Sequence, residues 1–351
     1  MSTALLFPGQ GSQRVGMGRD LAQRFELARR TYEEADDALG FSITKLCFDG
    51  PEDELTLTQH SQPAILATSM AVFRVLAAEK GLTFAPERGR ERGEPPGSTD
   101  DAAAERAARA GREQVEVVAG HSLGEWTALT AAGALRFADA LRLTHLRGQA
   151  MQRAVPVGVG TMAALMGLDL DAVRALCALA SADGEPCEPA NLNGAGQIVI
   201  SGHVAAIDRA LAAARGKGAK RAVKLPVSAP FHCSMMKPAA VELADALARV
   251  ELAAPSVPVV ANVTAAATRD PDTIRRLLVE QVTAPVRWEE SVQALAAAGV
   301  TRAYELGAGS VLRGLVKRIA PSIDCLSLGE PHEVDAFGAT ASAAAAPEGR
   351  P

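Results

Sequence analysis

Residues 115–135 read VEVVAGHSLGEWTALTAAGAL. The valines of the first half favour a buried strand. Gly120 and Gly124 allow strand and helix to approach closely across a sharp turn, and the apolar run beyond Leu123 continues as a helix. Gly120-His121-Ser122-Leu123-Gly124 is therefore a G-x-S-x-G elbow, with Ser122 exposed on the strained turn as a candidate nucleophile.

Outward from the elbow the chain alternates strands and helices, which places it in the α/β class. On the amino-terminal side, ALLFPGQGSQ (residues 4–13) reads as a buried strand entering a Gly-rich turn. A helix is expected over residues 20–39, and a second, apolar almost all round and so buried, over 63–79. On the other side, residues 161–227 run β-α-β-β-α-β, the order of a ferredoxin-like split motif. Helices and strands from Pro238 to Ala320 then complete the first, parallel sheet. The expected organisation is a core of residues 1–155 and 228–330, with an inserted ferredoxin-like subdomain over 156–227. Residues 85–114 contain no Leu, Ile, Phe or Met and are rich in Pro, Gly, Arg, Glu and Ala, the composition of a flexible insertion. The stretch 333–351, with its alanine run and PEGRP ending, reads as an unstructured tail.

Composition narrows the function. At 351 residues, with 48% hydrophobic and 22% charged residues, the chain suits a folded enzyme of about two domains. A net charge of -5 argues against nucleic acid as the main partner. With 9 Phe, 2 Trp and 2 Tyr there is little material for stacking platforms. No apolar run approaches the roughly 18 uninterrupted residues of a membrane span, and no signal segment opens the chain, so a cytoplasmic location is expected. The five cysteines have no CxxC pair or zinc-ligand spacing and read as reduced thiols.

A serine hydroxyl needs a base to become a nucleophile. Of six histidines, His232 stands out: it lies in SAPFHC (228–233), between a strand and a helix beginning near Lys237, where loops mount functional groups. His121, with its side chain expected to point away from the reactive face, and His60, His145, His203 and His332 read as structural or surface histidines. The loop Pro8–Gln13 could present backbone N–H groups to an oxyanion together with the amide of Leu123. It lacks the lysine of a phosphate-binding loop. Arg147 has apolar flanks at Leu143, Leu146 and Met151, so its guanidinium is expected to be partly buried and to want an anion such as a substrate carboxylate.

Six motifs in order, LLFPGQGSQ (5–13), GHSLGEWTAL (120–129), LRGQAMQ (146–152), NLNGAGQIVISG (191–202), APFHCSMMKPA (229–239) and YELGAGSVLRGLVKRI (304–319), resemble the malonyl-CoA:acyl-carrier-protein transacylases and their polyketide-synthase acyltransferase relatives. The resemblance implies an α/β-hydrolase-like core carrying a ferredoxin-like subdomain. It implies ping-pong acyl transfer, with Ser122 as nucleophile, His232 as base and then acid, and the amides of Gln10 and Leu123 as oxyanion donors. The main-chain carbonyl of Gln281 would orient the histidine, Arg147 would pair with the malonyl carboxylate, and Asn191 and Asn193 would line the cleft. Phe231 matches the A-F-H form of malonyl-selective members; Pro230 and Trp126 depart from the common pattern. Malonyl-CoA and an acyl carrier protein are the implied partners of a monomer with no resident cofactor. Arg313, Lys317 and Arg318 are candidates for docking an acidic carrier protein. An esterase-type hydrolase shares the elbow, but its histidine comes late in the chain, whereas 119 residues follow His232. An editing hydrolase of the same fold would lack Arg147, and a scaffold with a dead site need not keep Ser122, His232, Arg147 and Gln10 together.

Overall fold

The computed structural model describes residues 2–85, 113–227 and 229–343. Eleven strands are found among them: β1 (Ser2–Phe7), β2 (Leu82–Phe84), β3 (Glu113–Gly120), β4 (Gly160–Met166), β5 (Cys187–Gly194), β6 (Gln197–His203), β7 (Arg221–Lys224), β8 (Val259–Val260), β9 (Ala267–Thr268), β10 (Val300–Leu306) and β11 (Asp324–Leu328). The larger sheet has the order β11-β10-β1-β3-β8-β9, with β2 against the start of β3. Every pairing in it is parallel except β8 with β9. Leu5 faces Tyr304 on one side and Val118 on the other.

A parallel sheet is covered on both faces, so its central strands are apolar throughout. In β1, Leu5 and Phe7 enter a core shared with the Thr58–Glu79 helix, while Ala4 and Leu6 enter a second core with Trp288 and Leu315. Thr58–Glu79 is the one helix among the described residues with the length and hydropathy of a membrane span. It is a core helix here: 78% of its most apolar window is buried within the protein.

The smaller sheet is antiparallel, in the order β5-β6-β4-β7. Two helices, Leu170–Ala180 and Val204–Ala214, cover one face. The strand period of two divides the side chains: Ala163 and Leu165 of β4 face those helices, while Met162 and Ala164 face the larger body and help to wall a cavity. This is the β-α-β-β-α-β arrangement read from the sequence.

Three details differ from the expectations. The single helix over residues 20–39 is broken at Phe25, whose extended backbone (φ -121°, ψ 120°) separates Arg19–Arg24 from Glu26–Leu39. The ring it carries is buried, and burial of an aromatic side chain offsets the helical hydrogen bonds lost there. Of the stretch 333–351, expected to be unstructured, the residues through 343 belong to a helix over Pro331–Ala343, and 344–351 lie outside the described residues. The alanine-rich composition hides two anchors: Val334 is fully buried, and the Phe337 ring meets Tyr304 edge-on at 5.0 Å. The carboxylate of Glu333 accepts from the amides of Gly329 and Glu330 at the start of that helix. Of the 85–114 insertion, Ala85 donates its amide to Val115, and Glu113 and Gln114 open β3. The rest of it lies outside the described residues.

Candidate active site

β3 ends at Gly120, and the chain turns through Ser122 into the Leu123–Ala131 helix, at the carboxyl ends of the parallel strands where α/β folds place their ligands. The turn is made by close approach. A Cβ on Gly124 would lie 1.9 Å from the carbonyl oxygen of Phe7, and one on Gly9 would lie 2.4 Å from that of His121. Ser122 has φ 52° and His232 has φ 59°, so both occupy the left-handed region that non-glycine residues rarely enter. Such backbone persists where the surroundings hold it. Here the Ser122 amide donates to Asn262 Oδ1 at 2.7 Å and its carbonyl accepts from Gln281 Nε2 at 3.1 Å.

His232 Nε2 lies 2.7 Å from Ser122 Oγ, and His232 Nδ1 lies 2.8 Å from the carbonyl oxygen of Gln281. A carbonyl can only accept, so Nδ1 carries the hydrogen and Nε2 turns its lone pair toward the hydroxyl. Gln281 caps the carboxyl end of the Pro271–Glu280 helix. Carbonyls at such an end lack helical partners and carry the negative end of the helix dipole, which favours a transient imidazolium. In the resting state burial, aided by the nearby Arg147 charge, lowers the His232 pKa to about 3. The imidazole is neutral at pH 7 and able to accept a proton.

Arg147 lies on the buried stripe of the Phe137–Ala154 helix and is 3% exposed. Its Nη1 donates to Gln62 Oε1 at 2.7 Å, and its Nη2 donates to Gln281 Oε1 at 3.0 Å and to Ser122 Oγ at 3.2 Å. All three are neutral oxygens, and among the described residues the buried Nε has no partner. Burial lowers this guanidinium to about 10, so it remains charged at pH 7.

These groups face a cavity of about 390 Å³ between the two sheets. Gln10, Asn191, Asn193 and Phe231 also line it, and Leu123 begins the elbow helix beside it. The side chain of Gln10 is held by Thr58, whose hydroxyl donates to its Oε1 at 2.7 Å. Trp126 is fully buried one helical turn beyond the nucleophile position. His121 corrects the sequence reading: its side chain lines the cavity, with Nε2 2.9 Å from Asn193 Oδ1, because the elbow turns that ring toward β5. His60 and His145 stack on one another away from the cavity lining, and His203 caps a helix. Among the described residues no group of three or more His, Cys, Asp or Glu stands close enough to hold a metal ion.

Four groups were missed. Gln62, Glu125 and Asn262 were not singled out, and the side chain of Gln281 does as much as its carbonyl. The available signal was polarity out of place: each is a buried polar residue within an otherwise apolar stretch, Gln62 in SQPAIL, Glu125 in the elbow helix and Asn262 in VVANV.

The arrangement can deprotonate a hydroxyl and hold the resulting ester close to a fixed cation. Comparison with known proteins agrees with this chemistry. The acyl transferase domain family matches residues 4–87 and 100–324. The chain is 43% identical over 333 residues to the malonyl CoA-acyl carrier protein transacylase of Escherichia coli (strain K12), covering 95% of this chain and 97% of that one. An acyl-carrier-protein-S-malonyltransferase from Bartonella henselae superposes with a TM-score of 0.84 at 45% identity, covering 97% of this chain and all of that one. A malonyl-transacylase solved in complex with its type II polyketide-synthase acyl-carrier protein gives 0.84 at 38% identity, over 97% of this chain and 100% of that one. On residues, architecture and relatives alike, the chain belongs to the acyl transferase domain family, that of the malonyl CoA-acyl carrier protein transacylases.

Proposed function

We propose that the protein transfers a malonyl group from malonyl-CoA to the phosphopantetheine thiol of an acyl carrier protein, through a malonyl ester on Ser122. The observation that carries this is a guanidinium whose hydrogen bonds among the described residues go to neutral oxygens, 3.2 Å from a hydroxyl that also meets an imidazole. Ser122 Oγ attacks the thioester carbonyl as His232 Nε2 takes its proton. The amides of Gln10 and Leu123 hold the oxyanion. Collapse expels CoA as the thiol, which takes the proton from His232. The carrier-protein thiol then gives its proton to His232 and attacks the acyl-serine, and Ser122 recovers the proton on leaving. Every proton and electron pair is accounted for, so the proposal calls for no cofactor. Asn191 and Asn193 shape the cleft, and the Phe231 ring takes the space that an α-methyl branch would need. Unpaired, buried cysteines suit a cytoplasmic setting, and we propose a monomer.

The sign of the His232 shift gives a pH expectation. A lowered pKa leaves the base form populated well below the ordinary imidazole value of about 6.5. Burial is its largest cause. Serine acylation at saturating malonyl-CoA is expected to change by no more than about twofold between pH 8 and pH 5.5. Stopped-flow release of CoA checks this, and a fall centred near 6.5 would contradict it.

Carrier docking is expected near the exposed basic residues Arg313, Lys317 and Arg318. Their helix packs on β5 where Ile319 meets Gly194, next to the cavity-lining Asn193. Charge reversal at Lys317 and Arg318 should raise KM for the carrier protein by about tenfold at low salt. Malonylation of the enzyme by malonyl-CoA should be unchanged, and a carrier KM unmoved by the double reversal would refute this docking site.

A further inference from the structure

Behind the elbow lies a carboxyl group that the transfer described above does not use. Glu125, on the first turn of the Leu123–Ala131 helix, is 3% exposed. Its Oε2 accepts from Gln281 Nε2 at 2.7 Å and from the amide of Asn262 at 3.0 Å. The other end of the same Gln281 amide accepts from Arg147 Nη2 at 3.0 Å. One glutamine side chain thus stands between a buried acid and a buried guanidinium, donating to the first and accepting from the second. The charges also meet through space: Arg147 favours ionised Glu125, while burial opposes it more strongly and raises that carboxyl to about 7. An uncompensated buried cation would grip a carboxylate equally in substrate, acyl-enzyme and product, and such uniform binding lowers KM without raising kcat.

We propose that Glu125 is the counter-charge of Arg147, a positioning residue that acts through the Gln281 amide to moderate the grip on the malonyl carboxylate, so that the group is both admitted and released. This rests on the reading of Arg147 as the carboxylate receptor.

The test is calorimetric binding of malonyl-CoA and acetyl-CoA to Ser122→Ala protein, which binds without turning over, at about pH 8 where Glu125 is ionised. Glu125→Gln, Glu125→Asp and Arg147→Ala are each added to that background. Glutamine keeps an oxygen for both donors, which share Oε2, and removes the charge, with NH2 in place of the other oxygen. The malonyl-CoA Kd is expected to fall about tenfold in Glu125→Gln, while that for acetyl-CoA moves less than about twofold. Glu125→Asp should keep the parent ratio of the two. An unchanged malonyl-CoA Kd, or equal weakening of both ligands as a structural role would give, overturns the proposal.

Should Glu125→Gln fail to fold, the parent Ser122→Ala protein supplies the second measurement. A new negative charge at Arg147 should protonate part of the Glu125 population at pH 7, seen as buffer-dependent heat with malonyl-CoA and not with acetyl-CoA. The other ionisable groups around this network are Arg147, His232 and His121; the guanidinium stays charged, and burial holds both imidazoles below their ordinary value. Absence of proton uptake would overturn the proposal. The two readings fail separately. If Arg147→Ala leaves the malonyl-to-acetyl ratio of Kd values intact, the receptor assignment is wrong. If that ratio collapses and Glu125→Gln changes nothing, only the counter-charge is wrong.

Discussion

Ser122→Ala protein mixed with malonyl-CoA is expected to acquire no covalent malonyl group and to transfer malonyl to carrier protein about five to six orders of magnitude more slowly than the parent. That is the scale of loss when the nucleophile of a serine-histidine site is removed, since binding and oxyanion donors alone leave a small residue of catalysis. Among the described residues the hydroxyl meets His232 and Arg147, and its backbone is held by Asn262 and Gln281, which the substitution leaves in place. The variant should therefore fold and still bind malonyl-CoA. Intact-protein mass spectrometry and a carrier-loading assay check both halves. A malonyl adduct that survives the substitution would put the nucleophile elsewhere.

Arg147→Ala is expected to lower the preference for malonyl-CoA over acetyl-CoA by about one to two orders of magnitude, since hydrogen bonds to charged groups contribute about 1.5–3 kcal/mol each. The ratio is the informative quantity. Removing the guanidinium also leaves Gln62 Oε1 and Gln281 Oε1 without their donor, and Gln281 holds His232, so rates with both thioesters should fall. The loss also removes a charge that depresses His232, so the imidazole pKa should rise and acylation by acetyl-CoA should become more sensitive to acid than in the parent. A competition assay with both thioesters measures the ratio, and an unchanged ratio would remove Arg147 from acyl recognition.

Much of this was legible because the decisive signals are local. Glycines at 120 and 124 around a serine, after valines and before an apolar helix, specify the elbow within a few residues. The alternation from Thr161 to Val227 specifies the smaller sheet, since strand and helix periods are properties of short stretches. His232 could be picked out by its loop, although its contact with Ser122 spans 110 positions. What stayed hidden depends on distant partners. Glu125 is an acid in an apolar helix, and nothing near it says that Asn262 and Gln281 satisfy it from 137 and 156 residues away. His121 could be placed on the turn, but the direction of its ring depends on Asn193, 72 residues on. The helix from Pro331 was obscured for a related reason: its alanines suggest no structure until Phe337 is set against Tyr304.

The account turns on one covalent intermediate, and isolating it is the direct test. Protein mixed briefly with labelled malonyl-CoA, stripped of CoA by rapid gel filtration and digested should carry the label on the peptide containing Ser122. Undigested, the same isolated protein should pass its label to the thiol of added holo carrier protein with no CoA present. Label on any other residue, or label on Ser122 that the carrier protein cannot discharge, would contradict transfer through a malonyl-serine.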